Sequence, residues 1–392
     1  MKKLWLLFAS YTAVLVALFL YSFTQVDLSL TLSRVSLYQT LEKNFQYFGF
    51  FQRPSSALFF SIILLLLFIF YLVILYLAKK KSLQLKHIKI LVILSFVFLV
   101  FSYNAFSYDL FNYIFDAKIL THYLQNPYFH KPSDFPTDPM LNFMRWTHRT
   151  YPYGPTWLLL TVPLSFIGMN IFLPTFFMFK FLMGLSFLGS CYLIYKISDK
   201  LFPENKLLNV SFWAFNPLVL IESLISAHND VPMIFLLLLS IYLYLERKKT
   251  LSFFSYILSV GVKFSTGAFL PVAVFIFLTN KFKKDINWEK VFIISFFLAL
   301  ATIFFAAIRT TFQPWYILFP LSIASFVPKK YFIFIPSFFG SIFSASIYIP
   351  YVLLTDYAKG YPLIVTNIEL AGLVSVVVIT FLFFLKVKLL KH

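Results

Sequence analysis

Cysteine, glycine and acidic side chains are all scarce in this chain, and each shortage excludes something. A single cysteine among 392 residues, Cys191, rules out an internal disulfide and any paired-cysteine metal site. It sits inside an apolar block, where the role of a small buried apolar residue is expected. Glycine occurs 10 times. No glycine-rich phosphate loop and no HExxH pair occurs, so nucleotide hydrolysis and metal-driven chemistry have no support. Charged residues make up 12% of the chain, against about 25% in an ordinary soluble domain. Acids are the rarer sign: Asp and Glu number 15 against 33 Lys and Arg, for a net charge of +18.

What is abundant is apolar. Hydrophobic residues make up 60% of the chain, with 54 phenylalanines. They come as long blocks, not as an alternation with polar residues: 4–23, 57–78, 90–103, 171–197, 207–225, 291–308, 331–354 and 368–385, with shorter ones between. A bilayer core about 30 Å thick needs about 20 apolar residues per helical crossing. The pattern predicts an all-α, polytopic transmembrane helical bundle of roughly ten membrane helices, with an extended outer loop after the third. The whole chain, 1–392, reads as a single integral membrane domain without internal repeats. Lys2 and Lys3 before the first apolar run resemble a signal peptide, but no small-residue cleavage site follows, so the run reads as the first membrane helix.

Placement of the positive charge argues against a nucleic-acid surface. It falls in tufts between apolar blocks: Lys79, Lys80 and Lys81 with Lys86 and Lys89; Arg247, Lys248 and Lys249; Lys281, Lys283 and Lys284; Lys329 and Lys330; Lys386, Lys388 and Lys391. A nucleic-acid face needs contiguous basic area with stacking aromatics outside the membrane, so no nucleic-acid partner is expected. Tufts of this kind mark cytoplasmic loops. They put the N-terminus inside and the 107–155 loop, Ser226, Asp230, Arg309 and the Asp356 loop outside, in a multi-pass protein of the cytoplasmic membrane. Parity then fails in 155–197 and 251–279. These two stretches are expected to hold broken or re-entrant helices, near Gly168 in the first and near Gly261 and Gly267 in the second.

The 107–155 loop carries His122, His130 and His148, four aspartates and six prolines. Prolines at that density stiffen a loop, and one so rich in ionisable groups is more than a connector. It opens on Asp109, Asn112, Tyr113 and Asp116, spaced i, i+3, i+4 and i+7 along one helix face. An acid there suits removal of a proton from a sugar hydroxyl, or is a plain solvated carboxylate. Asn126-Pro127-Tyr128 and Tyr151-Pro152-Tyr153-Gly154-Pro155 offer flat faces for a sugar or prenyl chain, or are interfacial aromatics. Glu222 lies inside an apolar block whose outer end is His228-Asn229-Asp230. A carboxylate there is costly and marks a site, while Asp230 also suits a helix N-cap. Lys263, mid-block, suits a phosphate or a structural pairing with Glu222 or Asp230. Arg309, just before Gln313-Pro314-Trp315-Tyr316, suits a phosphate or a plain helix end. Lys180 is a weaker candidate, able to reach headgroups.

In order, these clusters resemble the GT-C membrane glycosyltransferases, and within them the bacterial polyprenol-phosphate-mannose-dependent mannosyltransferases and related hexosyltransferases. The matching positions are Asp109, Tyr113 and Ala117; Asn126, Pro127 and Tyr128; Tyr151, Tyr153, Gly154 and Pro155; Asn216, Pro217, Glu222, His228, Asn229 and Asp230; Val262 and Lys263; and Gln313, Pro314, Trp315 and Tyr316. The chain departs from the pattern in three places. Ala227 replaces the glycine before His228, no glycine precedes Asn126, and no proline follows Lys263 in the expected register. The resemblance implies transfer of a hexose, in first place mannose, from a polyprenyl-phosphate carrier to a glycan or glycolipid acceptor on the outer face. Asp109 would be the general base, with Lys263, Arg309 and His228 on the donor phosphate. Asp116, Tyr113, Asn126, Tyr128, Tyr153, Glu222, Asn229, Asp230, Trp315 and Tyr316 would contact substrate. No cofactor is implied beyond the lipid-linked donor, and no metal. A secondary transporter or lipid-linked-sugar flippase is the main rival, sustained by Glu222 and Lys263. A polysaccharide polymerase or ligase and a purely structural membrane protein are the others.

Overall fold

The computed structural model describes residues 2–282, 285–355 and 358–389; Lys283, Lys284, Asp356 and Lys391, which figure in the charge-derived topology, lie outside them. Among the described residues every regular element is helical. The α-helices are α1 (Lys2–Ser22), α2 (Ser36–Gln46), α3 (Arg53–Lys79), α4 (Leu85–Val100), α5 (Asp109–Thr121), α6 (Pro155–Ile167), α7 (Phe172–Leu201), α8 (Lys206–Ala214) and α9 (Pro217–Leu220). After them come α10 (Asp230–Leu245), α11 (Lys249–Val262), α12 (Leu270–Lys281), α13 (Trp288–Arg309), α14 (Leu318–Ala324), α15 (Tyr331–Ser346), α16 (Tyr348–Leu354) and α17 (Tyr361–Leu389).

Among the described residues six spans are long and apolar enough to cross a bilayer: α1, α3, α7, α13, α15 with α16, and α17. The pair formed by Pro203–Ala214 and Pro217–Ile225, bent by 57°, makes a seventh if it counts as one crossing. These are the helices of an integral membrane protein. Shorter apolar helices fill the rest of the bundle, α6, α10 and α11 among them.

Both stretches where parity failed are broken. At 1.5 Å per residue the 13-residue α6 reaches only about 20 Å. It starts on Pro155 and stops at Gly168, and Met169 and Asn170 both take left-handed backbone (φ 55°) before α7 begins. The Asn170 side chain secures the turn, accepting from Thr121 Oγ1 (2.5 Å) and Ser165 Oγ (2.9 Å). In the second stretch α11 ends at Val262, a 3-10 turn covers Phe264–Phe269, and α12 follows. Lys249 and Lys281 line the same end of one cavity, so α11 and α12 form a re-entrant V whose apex carries Lys263.

The bundle therefore has two unlike ends. At one, exposed ion pairs stand on and beside the basic tufts: Lys81 with Glu204, Lys200 with Glu246 (3.1 Å), Lys206 with Asp199 (2.6 Å) and Lys330 with Glu289 (2.5 Å). The segment 101–109, the stretch 226–230, the α11–α12 apex and residues 313–316 meet at the other, tied by the contacts described next.

Candidate active site

α5 is buried except at Lys118 and Leu120 near its end, and its polar face is Asp109, Asn112, Tyr113 and Asp116, each at most 7% exposed. Asp109 opens the helix, where a carboxylate complements the positive end of the macrodipole, and its backbone N–H donates to Ser107 Oγ (3.1 Å). Opposite it, α9 runs into a π-helical turn, Ile221–Ile225. Such turns widen a helix and re-aim its side chains, and they concentrate at functional sites. The turn closes with His228 N–H donating to the Glu222 carbonyl (3.0 Å) and with Ala227 left-handed at φ 55°. Glycine takes that backbone without cost, and alanine is strained in it. This accounts for the glycine that the resembling family carries there.

The turn directs His228 at two carboxylates. Its Nδ1 lies 2.9 Å from Glu222 Oε2, close enough for an ion pair although the angles do not make a hydrogen bond. Its Nε2 lies 3.8 Å from Asp109 Oδ2 and 3.1 Å from Ser107 Oγ. Trp315 stacks on the ring at 3.9 Å. Glu222 also accepts from the Tyr348 hydroxyl (2.6 Å). The result is a buried polar line, Tyr348–Glu222–His228–Asp109, drawn from three separate parts of the chain. His228 thus faces the base that was expected of Asp109. Glu222 stands behind the imidazole, beyond its far side from Asp109.

Next to it, Lys263 donates to both oxygens of Asp230 (2.9 and 2.7 Å) and sits over the Tyr316 ring at 5.3 Å. The pairing open between Glu222 and Asp230 is thus with Asp230. Asp230 is the first residue of α10 and not its N-cap, which is Asn229, and its carboxylate is held by the lysine. Asn229 is buried beside it with both amide atoms lacking a partner among the described residues.

The two tyrosine clusters form one column. Asn126 Oδ1 accepts from the Tyr128 N–H (3.0 Å), and Tyr151 N–H donates to the Pro127 carbonyl (3.0 Å). Rings meet edge to face from Tyr128 to Tyr151, Tyr153, Tyr113 and the fully buried Trp157. Gly154 then presses on the last turn of α11: a Cβ there would stand 2.2 Å from the Gly261 carbonyl oxygen. This contact joins the tyrosine cluster to the backbone that presents Lys263.

Three cations lie off this polar line. Arg309 is exposed at the end of α13 and has no ion pair with the cluster among the described residues. The cation at the α5 face is Arg149, which sequence reasoning passed over although it directly precedes the Thr150-Tyr151 segment. Burial works against its charge, but Tyr153, Asp109, Tyr113 and Asp116 outweigh it and hold its pKa above the ordinary value. Burial pushes Asp116 up to about 7, a rise that Arg149 opposes and Asp109 reinforces. Lys180 does not reach headgroups. It is 1% exposed and donates to the Leu224 and Ile225 carbonyls and to Ser102 Oγ, which caps the negative end of the turn that presents His228. Among the described residues no group of three or more His, Cys, Asp or Glu side chains is arranged to hold a metal ion.

The family model described as "Alpha-(1->6)-mannopyranosyltransferase, N-terminal domain" matches residues 13–279. The matched stretch holds α5, the tyrosine column, the His228 turn and Lys263, and leaves out Arg309, Trp315 and Tyr316. Comparison with curated proteins and with solved structures finds no match. Since the match takes in well over half of the chain, from within α1 to near the end of α12, the protein belongs to the alpha-(1->6)-mannopyranosyltransferase N-terminal domain family.

Proposed function

We propose that the chain moves a mannosyl group from a polyprenyl-phosphate carrier to a hydroxyl of a lipid-linked or glycan acceptor, at the outer face of the cytoplasmic membrane. Asp109 is the general base: it takes the acceptor proton as the oxygen attacks the anomeric carbon. The bond from that carbon to the phosphate oxygen breaks with inversion, and the polyprenyl phosphate leaves with the electron pair. His228, held between Glu222 and Asp109, orients the base. Lys263 at the V apex, together with Arg309 from the rim, meets the departing phosphate, as preorganised charge does for a developing anion. Tyr113, Asp116, Tyr153, Asn229, Asp230, Trp315 and Tyr316 line the sugar, with Asn126 and Tyr128 at the entrance. In this reading the shorter helices bring the crossings to about ten, and 107–155 is the outer catalytic loop.

The observation that carries the reading is the approach of Asp109 Oδ2 to His228 Nε2, 3.8 Å apart across 119 residues of chain, in a family described by mannosyl transfer. The experiment is transfer in proteoliposomes holding the purified chain and a glycolipid acceptor, with label supplied on polyprenyl-phosphate mannose or on a nucleotide sugar in separate runs. Transfer from the lipid-linked donor alone is expected. Transfer from the nucleotide sugar alone, or solute uptake without transfer, overturns the reading.

A further inference from the structure

At the lysine-rich end of the bundle lies a cavity of about 600 Å³, bounded by α10, α11, α12 and α13. It shares no residue with the polar line around Asp109. Pockets that take small molecules run from about 300 to 1,000 Å³. It exists because α12 packs mainly on the 3-10 turn before it and stands off from α11 and α13 lower down. Its walls are apolar: Leu237 and Ile241 on α10, Phe253 on α11, Ile276 and Phe277 on α12, Phe292 on α13. Ser240 and Ser252, which also line it, spend their hydroxyls on each other's carbonyls at 2.8 Å. A water needs two to four polar partners, so the body of this cavity suits hydrocarbon.

The charge is gathered at one end. Lys249 at the start of α11 and Lys281 at the end of α12 both line the cavity, and no Asp or Glu does. The nearest acids along the chain on the α10 and α13 sides, Glu246 and Glu289, are paired with Lys200 and Lys330. Trp288 and Tyr244, 6.0 Å apart edge to face, line the same end. An aromatic pair at that level is the usual mark of the headgroup region. Phe269 and Ile323 close the far end, toward the Lys263 apex.

We propose that this cavity is a binding site for one anionic glycerophospholipid, its phosphate between Lys249 and Lys281 and an acyl chain running up between α11 and α12. The lipid fills the V that carries Lys263 at its apex and so props the re-entrant helices apart.

The test is native mass spectrometry of the purified chain released from nanodiscs made of phosphatidylglycerol, of phosphatidylcholine, or of an equal mixture of the two. One phosphatidylglycerol should be retained from the mixture in preference to phosphatidylcholine. Each lysine in contact with an anionic headgroup changes affinity by about fivefold, so Lys249→Gln with Lys281→Gln should lower retention by about 25-fold. Both lysines are exposed, so the double variant should fold. Ala273→Trp, which fills the cavity from α12 and leaves the lysines in place, should also abolish retention. Equal retention of both lipids, or retention untouched by both variants, overturns the proposal. Displacement of the bound lipid by equimolar polyprenyl phosphate overturns it too, by giving the cavity to the donor's tail. The readout needs no turnover, so its outcome stands apart from that of the transfer assay.

Discussion

The two ends of this bundle handle charge in opposite ways. At the lysine-rich end Lys81–Glu204, Lys200–Glu246, Lys206–Asp199 and Lys330–Glu289 lie in the open, with side chains 32–78% exposed. At the other end the side chains of His228 and Glu222 are fully buried, while the side chain of Asp230 is 3% exposed and that of Asp109 10%. Exposed pairs exchange one hydrated state for another and contribute little. Buried ones give up hydration and persist only where each charge has partners. The first end shares its charge with water, and the second holds partly dehydrated charge.

The largest effect that should separate them is catalytic. Asp109→Asn keeps shape and removes the oxygen that accepts a proton, so the transfer rate should fall about 10²–10⁴-fold while the protein still accumulates in membranes. Full activity would show that the buried end carries charge without using it as a base.

Stability should follow. Lys263→Ala leaves Asp230 buried without its cation. Breaking a buried pair costs about 3–5 kcal/mol, and the lower figure applies here because Lys263 is 23% exposed. Thermal unfolding in detergent should show a drop of about 3 kcal/mol, largely recovered by adding Asp230→Asn. An unchanged midpoint would put this pair in the same class as those of the lysine-rich end.

A smaller effect depends on pH. Asp116 has its pKa raised from 3.8 to about 7. Between those values the folded protein keeps a proton that the unfolded chain has lost, so stability falls as pH rises from about 4 to about 7 and stays reduced above that. Asp116→Asn should flatten the melting profile between pH 5 and 8 and be more stable than the parent at pH 8, by on the order of 3 kcal/mol. A profile that slopes alike in both proteins would remove Asp116 as the cause.

The smallest effect is expected at the lysine-rich end. Lys81→Ala should leave the melting midpoint unchanged within error, because its pair with Glu204 is open to water. A clear loss there would break the contrast between the ends.

Much of the frame was readable in advance, and for local reasons. The breaks near Gly168 and Gly261 follow from glycine and from apolar runs too short or too long for whole crossings. The buried face of α5 follows from its spacing. The pairings were not readable. Lys263 meets Asp230 because α11 returns alongside α10. Lys180 looked like a residue able to reach headgroups, until α7 was seen to hold it under the π turn, where the carbonyls of Leu224 and Ile225 need a donor. Arg149 drew no reading from its place in the loop, and the fold sets its charge among Asp109, Asp116, Tyr113 and Tyr153. Arg309 looked equivalent to Lys263, yet α13 ends with it exposed.

The sequence by itself determined the apolar helices, the end of the bundle that gathers lysines and the points where helices break. Hydropathy, like-charge clustering and backbone restrictions all act within a few residues of chain. Only the tertiary structure decided which buried charges share a space. A charge removed from water takes the partner that helix packing brings within about 4 Å. Here those partners come from segments 33 to 126 residues apart.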